Sequence, residues 1–272
     1  MSKRNNHASK SAAREKLRQE RERMARRDQV KRRLGVAGAI VTVLAMAGGI
    51  GYAAKQSQQS GHWAKIQNAK VVAPAHTTGE NGTTVVVGKD TAKKTLKVYE
   101  DPRCPLCAHF EQVVGPAVQK DIDDGKFKFQ YVGASFVDDY GNGEGSKSAL
   151  SALGAALDVS QEAFLEYRAA LYSEKWHPDE TDDKFKDRAY LIRIADTVSP
   201  LKDNGKFRTA VKSGTYDPWA LAMSKAFHSN EDQVTGTPSL VMDGRKLSSG
   251  SAGGPPMTVS AYNKAMDSAL RS

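Results

Sequence analysis

Residues Tyr99–Phe110 read "YEDPRCPLCAHF" and hold the only two cysteines of the 272-residue chain, Cys104 and Cys107. Two cysteines within four residues, with Pro105 between them, admit three readings: a structural staple, part of a metal site, or a redox pair. As a staple the pair is weak, because closing so short a loop removes only about 2 kcal/mol of chain entropy. A domain of this length that buries its own core has little need of it. As a metal site it is short of ligands. His109 would make a third, but no second Cys/His pair stands at zinc-site spacing. His7, His62, His76, His177 and His228 are scattered, and Ala108 stands where c-type haem attachment requires histidine.

The redox reading has a physical mechanism. The segment before the motif, "TLKVYED", is a β-branched and apolar run that predicts a strand, and "PLCAHF" opens a helix. Proline suits the first turn of a helix, where the amide hydrogen it lacks would be unpaired anyway. Cys104 then sits at the helix N-terminus and Cys107 one turn in, on the same face. Free amides and the helix dipole favour a thiolate on Cys104, and Arg103 adds a positive charge beside it. Stabilising that thiolate favours the reduced pair and makes the disulfide the stronger oxidant. Cys107 is the expected resolving cysteine.

Outward from the motif, "TTVVVG" before it and "KFKFQYV" after it predict two more strands, the latter with Phe127, Phe129 and Tyr131 on one face. The helix between runs from Pro105 to about Asp124, broken at Gly115–Pro116. Five segments with apolar residues at three-to-four spacing follow, from "SKSALSALGAAL" to "PWALAMSKAFHS". Then come the strand and hairpin "TPSLVMDGRKL" and a helix near 257–271. The order predicts an α/β domain over 83–272 with a helical insertion at about 146–230. The Gly-rich stretch "VDDYGNGEG" fails as an EF-hand, since Tyr140 and Ala149 occupy ligand places, and reads as a solvated loop.

These residues resemble the thioredoxin superfamily, and within it the DsbA-like thiol–disulfide oxidoreductases that carry a helical insertion. "VYEDPRCPLC" is similar to that family's strand-to-active-site segment, and "VTGTPSLVMDGRKL" to its second signature. The resemblance covers about residues 83–271 and implies a thioredoxin-like fold. It makes Cys104 the nucleophile, Cys107 the resolving cysteine and Pro238 a cis-proline that keeps metals off the pair and seats the substrate backbone. Thr237, Pro105 and Leu106 become further substrate-contact candidates. The buried acid that many members keep six residues before the first cysteine is replaced by Val98. Glu100 and Asp101 therefore become candidates, with Arg103, for tuning the thiols. Either acid could accept the Cys107 proton, while Asp101 equally suits a capping role.

The net charge of +9 belongs to one end of the chain. Residues 1–33 carry 13 Lys/Arg against four Asp/Glu, and the remaining 27 basic residues balance 27 acidic ones. That distribution argues against a nucleic-acid partner for the domain. Residues 34–54, "LGVAGAIVTVLAMAGGIGYAA", have no charged side chain and match the roughly 20 residues that cross a bilayer. The positive-inside rule then predicts one transmembrane helix, with the basic tail 1–33 cytoplasmic and the catalytic domain exported. Ala45-Met46-Ala47 resembles a cleavage site, but the charged region is long and the apolar run continues past it. Residues 55–82, rich in Gln, Ser, Gly, Ala and Thr, read as a linker.

Together these features predict a membrane-tethered, extracytoplasmic oxidoreductase without cofactor or resident metal. It would form disulfides in secreted or cell-surface proteins and be reoxidised by a membrane quinone-linked partner, as the family implies. A tethered reductase or isomerase is the same chemistry run in another direction. A non-enzymatic adaptor or metal carrier on this fold stands as the third reading.

Overall fold

The computed structural model describes residues 61–141, 143–249 and 253–271. The basic tail and the apolar run 34–54 lie outside them. Among the described residues no helix is long and apolar enough to cross a membrane.

Six strands form one sheet in the order β1-β2-β4-β3-β5-β6. The two central strands, β3 (Thr95–Glu100) and β4 (Lys128–Gly133), run parallel, with Val98 opposite Tyr131 and Glu100 opposite Gly133. Parallel neighbours need a crossover, and α2 (Pro105–Val113) and α3 (Gly115–Asp123) supply it. The break between these helices falls where the sequence places it, because Pro116 has no amide hydrogen for the carbonyl one turn back. β5 (Ser239–Met242) pairs antiparallel on the other side of β3, with Ser239 opposite Tyr99. β2 (Thr84–Val87) pairs antiparallel with β4. Two-residue strands lie at the ends of the order, β1 (Thr77–Thr78) on β2 and β6 (Arg245–Lys246) on β5.

Alternation along the strands builds two layers. Leu96, Val98, Phe129 and Tyr131 enter the main core. Tyr99, Val132 and Val241 face the other way, into a smaller cluster with Phe227 and Val234. Between β4 and β5 lie a short helix α4 (Phe136–Gly141) and the insertion. The insertion comprises α5 (Gly145–Val159), α6 (Gln161–Tyr172), α7 (Arg188–Ala195), α8 (Gly205–Ser213) and α9 (Asp217–His228). Its helices begin on side-chain caps where the sequence offers them. Ser160 accepts from the Ala163 amide, Asp187 from Ala189 and Asn204 from Phe207. The small face of α5 lets Trp219 in: a methyl group on Gly154 would fall 2.8 Å from its Cε3 atom. A helix α10 (Val259–Arg271) closes the chain.

Two expectations are corrected. The described part of the expected linker, 61–82, is packed on the domain. Helix α1 (His62–Lys65) buries Trp63 in the main core at 7% exposure. His62 Nε2 lies 2.7 Å from Asp217 Oδ2, and the Trp219 indole donates to the Gly82 carbonyl at 2.8 Å. A polar composition hid one large aromatic anchor and a strand pair, so the folded unit begins well before Thr83. The Gly-rich stretch is likewise no solvated loop. It starts with α4, and Asp138 within it is only 1% exposed, surrounded by donors.

Candidate active site

β3 delivers the chain to the end of the sheet, where Glu100 and Asp101 are both fully buried. The Cys104 amide donates to the Asp101 carbonyl at 2.9 Å, making a tight turn into α2. Cys104 is the N-cap of α2 and its carbonyl accepts from the Ala108 amide. Pro105 follows, exposed, then Leu106, half-buried. Cys104 is 5% exposed and Cys107 is completely buried, and both are free thiols.

β5 brings the second signature to the same place. Its antiparallel register against β3 sets Thr237 and Pro238, just ahead of Ser239, beside the turn that carries Cys104. The Thr237–Pro238 peptide is cis. The Cys104 thiol donates to the Thr237 carbonyl at 3.6 Å, within the range of sulfur hydrogen bonds. Both Thr237 and Pro238 are buried.

The two sulfurs are electrostatically unequal. A hydrogen bond from the Cys107 thiol holds the Cys104 pKa below the ordinary thiol value despite burial, helped by Thr237 and the Cys107 amide. Burial, reinforced by the neighbouring Cys104 and by the charge of Glu100, pushes the Cys107 pKa well up. Cys104 therefore gives up its proton more readily than the completely buried Cys107.

Glu100 lies on the same strand face as Val98, one pleat nearer the cysteines. Its carboxylate accepts from Arg168 of α6, with Nε at 2.7 Å from Oε2 and Nη2 on Oε1. Arg168 Nη1 also pairs with Glu111 of α2 at 2.8 Å, and its guanidinium lies over the rings of Phe129 and Tyr172. Burial raises the Glu100 pKa and Arg168 pulls it back. Sequence reasoning missed Arg168 and Glu111. The available signal was a charged residue in the apolar stripe of α6, flanked by Phe164, Tyr167 and Leu171.

Asp101 makes turn and capping contacts. Its Oδ1 accepts from the Arg103 amide at 2.9 Å and from the Ser146 hydroxyl at 2.6 Å, and its Oδ2 from the Val137 amide at 3.0 Å. Burial pushes its pKa up to about 7 against those hydrogen bonds. Arg103, expected as a free positive charge beside the thiolate, is instead buried and paired. Its Nη1 meets Asp138 at 2.9 Å and Asp183 at 3.3 Å, and Nη2 donates to the Glu180 carbonyl at 2.8 Å. A guanidinium taken out of water needs such partners, so its charge is largely offset before it reaches Cys104. His109 lies exposed on α2 and does not join the pair. Among the described residues no group of three His, Cys, Asp or Glu could hold a metal ion.

The thioredoxin family model Thioredoxin_4 matches residues 80–267. Disulfide bond formation protein D of Bacillus subtilis (strain 168) is 30% identical over 118 residues. That alignment covers 43% of this chain and 50% of the relative, so the chain spans about half the length of this curated relative. The reduced form of the disulfide bond oxidoreductase DsbG from Mycobacterium tuberculosis superposes with a TM-score of 0.57 at 26% identity, covering 70% of this chain and 88% of that one. Oxidised BdbD from Bacillus subtilis gives a TM-score of 0.57 at 20% identity, covering 74% of this chain and all of that one, which is likeness of fold alone. With the cysteine pair at a helix N-terminus, the cis Thr237–Pro238 peptide and the family match over most of its length, the chain belongs to the thioredoxin family and carries its DsbA-like architecture.

Proposed function

We propose that the chain is an exported, membrane-tethered thiol–disulfide oxidoreductase that forms disulfides in secreted or cell-surface proteins through Cys104 and Cys107. The observation that carries the reading is the asymmetry of the pair at the N-terminus of α2, where the Cys104 pKa is held down and that of the completely buried Cys107 is pushed well up.

In the oxidised enzyme a substrate thiolate attacks the Cys104 sulfur. A mixed disulfide forms and Cys107 leaves as a thiolate, which takes a proton because burial disfavours its charge. A second substrate thiolate attacks the substrate sulfur of the mixed disulfide and releases Cys104, a good leaving group at its depressed pKa. The substrate loses two electrons and the pair gains them. A quinone-linked membrane partner would remove them again. Glu100, paired with Arg168 and acting electrostatically on Cys107, is suited to exchange the Cys107 proton. Thr237, Pro238, Pro105 and Leu106 surround Cys104 where a substrate segment would lie.

The tether is the apolar run 34–54, with the basic tail on the cytoplasmic side. Extraction of the protein from membranes only by detergent would support it, and release by salt or alkali would count against it. The direction of electron flow is tested by equilibrating residues 61–272 in glutathione buffers. A reduction potential near about −120 mV fits disulfide formation, and one near roughly −270 mV fits a reductase.

A further inference from the structure

Three consecutive residues precede Cys104, and each is held by the segment between β4 and α7. Asp101 receives the Val137 amide of α4 and the Ser146 hydroxyl of α5. The Pro102 carbonyl lies 3.1 Å from His177 Nε2, which follows α6. Arg103 spans the widest gap, joining Asp138 of α4 to the Glu180 carbonyl and to Asp183.

The two carboxylates that hold Arg103 are themselves fixed by the start of α5. Asp138 accepts from the amides of Ser146 and Lys147, both at 2.9 Å. Asp183 accepts from the amides of Glu144 and Gly145, at 3.0 and 2.9 Å. Four orphan amides at one helix N-terminus are thus satisfied by the same acids that clamp the guanidinium. The glycine content of "GNGEG" acquires a reason here. A methyl group on Gly143 would fall 1.9 Å from Arg103 Nη1, so a side chain at that place could not close over the guanidinium.

We infer that Arg103 is a positioning residue for Cys104: its planar fork fastens the nucleophile's loop to the helical insertion, and this geometry, rather than its positive charge, is what the site uses. The inference rests on the thiol–disulfide reading above. Arg103 is covalently next to Cys104, and its own amide is tied to Asp101. Fixing both ends of the turn sets where the sulfur lies against the Thr237 carbonyl and the first amides of α2. Lysine carries the same charge but cannot reach two carboxylates and a carbonyl from one planar group.

The test uses the full-length chain in detergent, as wild type, R103K, R103M and G143A. The readouts are the Cys104 thiolate titration, followed by ultraviolet absorbance, and the rate of mixed-disulfide formation with a model peptide thiol. Positioning predicts that R103K fails as R103M does. The titration midpoint rises, and the rate falls about tenfold, since displacements on the order of 1 Å cost up to ~100-fold. G143A, which changes no charge, moves both readouts in the same direction. A wild-type titration in R103K with a shifted one in R103M would assign the effect to charge and overturn the inference. So would unchanged titrations in all three variants with only a lower melting temperature. If the Arg103 variants do not fold, G143A decides alone, and an unshifted titration in it overturns the inference. Failure of the wild type itself to exchange disulfides would instead overturn the functional reading.

Discussion

Arg168 and Glu100 form a buried ion pair, with Nε 2.7 Å from Oε2, and the Glu100 charge helps push the Cys107 pKa up. Glu111 pairs with Nη1 of the same guanidinium. Both acids depend on one cation. Replacing it with an apolar residue of similar length, Arg168→Met, leaves two carboxylates uncompensated and should cost about 3–5 kcal/mol of stability. Urea denaturation of the variant measures this, and a loss well under 1 kcal/mol would show that the acids find other partners.

Glu100→Gln keeps the shape of that site and removes a charge that works against a Cys107 thiolate. Steps in which Cys107 gains or loses its proton should slow by roughly 100-fold, the lower range of general acid–base effects. Release of Cys104 from the mixed disulfide by a second substrate thiolate, in which Cys107 keeps its proton, should change much less. Stopped-flow measurement of the two steps separates them, and equal slowing of both would remove Glu100 from proton exchange.

The cysteines have distinct expected phenotypes. Cys107→Ala leaves no resolving thiol and should accumulate mixed disulfides with exported proteins, visible as ladders on non-reducing gels. Cys104→Ser should accumulate none. Mixed disulfides persisting in Cys104→Ser would show that Cys107 is reachable, contrary to its complete burial.

The depressed Cys104 pKa predicts a pH-dependent difference between redox forms. A thiol whose folded pKa lies below its unfolded value stabilises the reduced fold fully above the unfolded value, about 8.5. That contribution is lost as pH falls through the folded value, at up to about 1.4 kcal/mol per pH unit. The melting temperature of the reduced form should therefore gain on that of the oxidised form as pH rises through this window. Reduced wild type should likewise gain on Cys104→Ser, which cannot form the disulfide, across the same window.

Asp101 acts in the opposite sense. Its pKa is raised from 3.8 to about 7, so the folded state holds the proton more tightly than the unfolded chain. Its contribution to stability is complete at acid pH and declines as pH rises from about 4 towards 7, again at about 1.4 kcal/mol per unit. In the oxidised protein, where no thiol titrates, Asp101→Asn should flatten this decline. A pH profile identical to wild type would show that Asp101 keeps an ordinary acidity.

The N-terminal part of the domain offers a direct comparison of fragments. A chain starting at residue 61 keeps Trp63 and the β1–β2 pair, and one starting at residue 83 loses both. Truncation of a buried aromatic typically costs about 3–5 kcal/mol, and Trp63→Ala should approach that range. Equal denaturation midpoints for the two fragments would return 61–82 to the status of a linker.

How much could be read in advance follows from the distance over which each feature is encoded. The cysteine pair, the break at Pro116 and the alternation of Phe127, Phe129 and Tyr131 are written within a few residues. So is the run of amphipathic helices after Gly145. The partners of Arg103 and Glu100 lie 35 and 68 residues away along the chain, and no local pattern specifies them. Arginine beside a cysteine reads as a charge for the thiolate until the acids that claim it are located in space. Asp138, inside a Gly-rich stretch, reads as solvated for the same reason. Trp63 is one aromatic residue among Gln, Ser and Gly, and only the core that receives it shows that the domain has begun.

The outermost strands, Thr77–Thr78 and Arg245–Lys246, are each two residues long, and the second is wholly cationic. A sheet that ends this way presents almost no open row of amides and carbonyls, and its lysine and arginine repel further extension. For a protein proposed to handle unfolded clients, this matters more than for most. Nascent chains carry unpaired β-prone segments that add readily to an open border and stay there. With both borders blunted, a client is held at the residues around Cys104 and by the sulfur itself, and once that bond is exchanged it is free to leave.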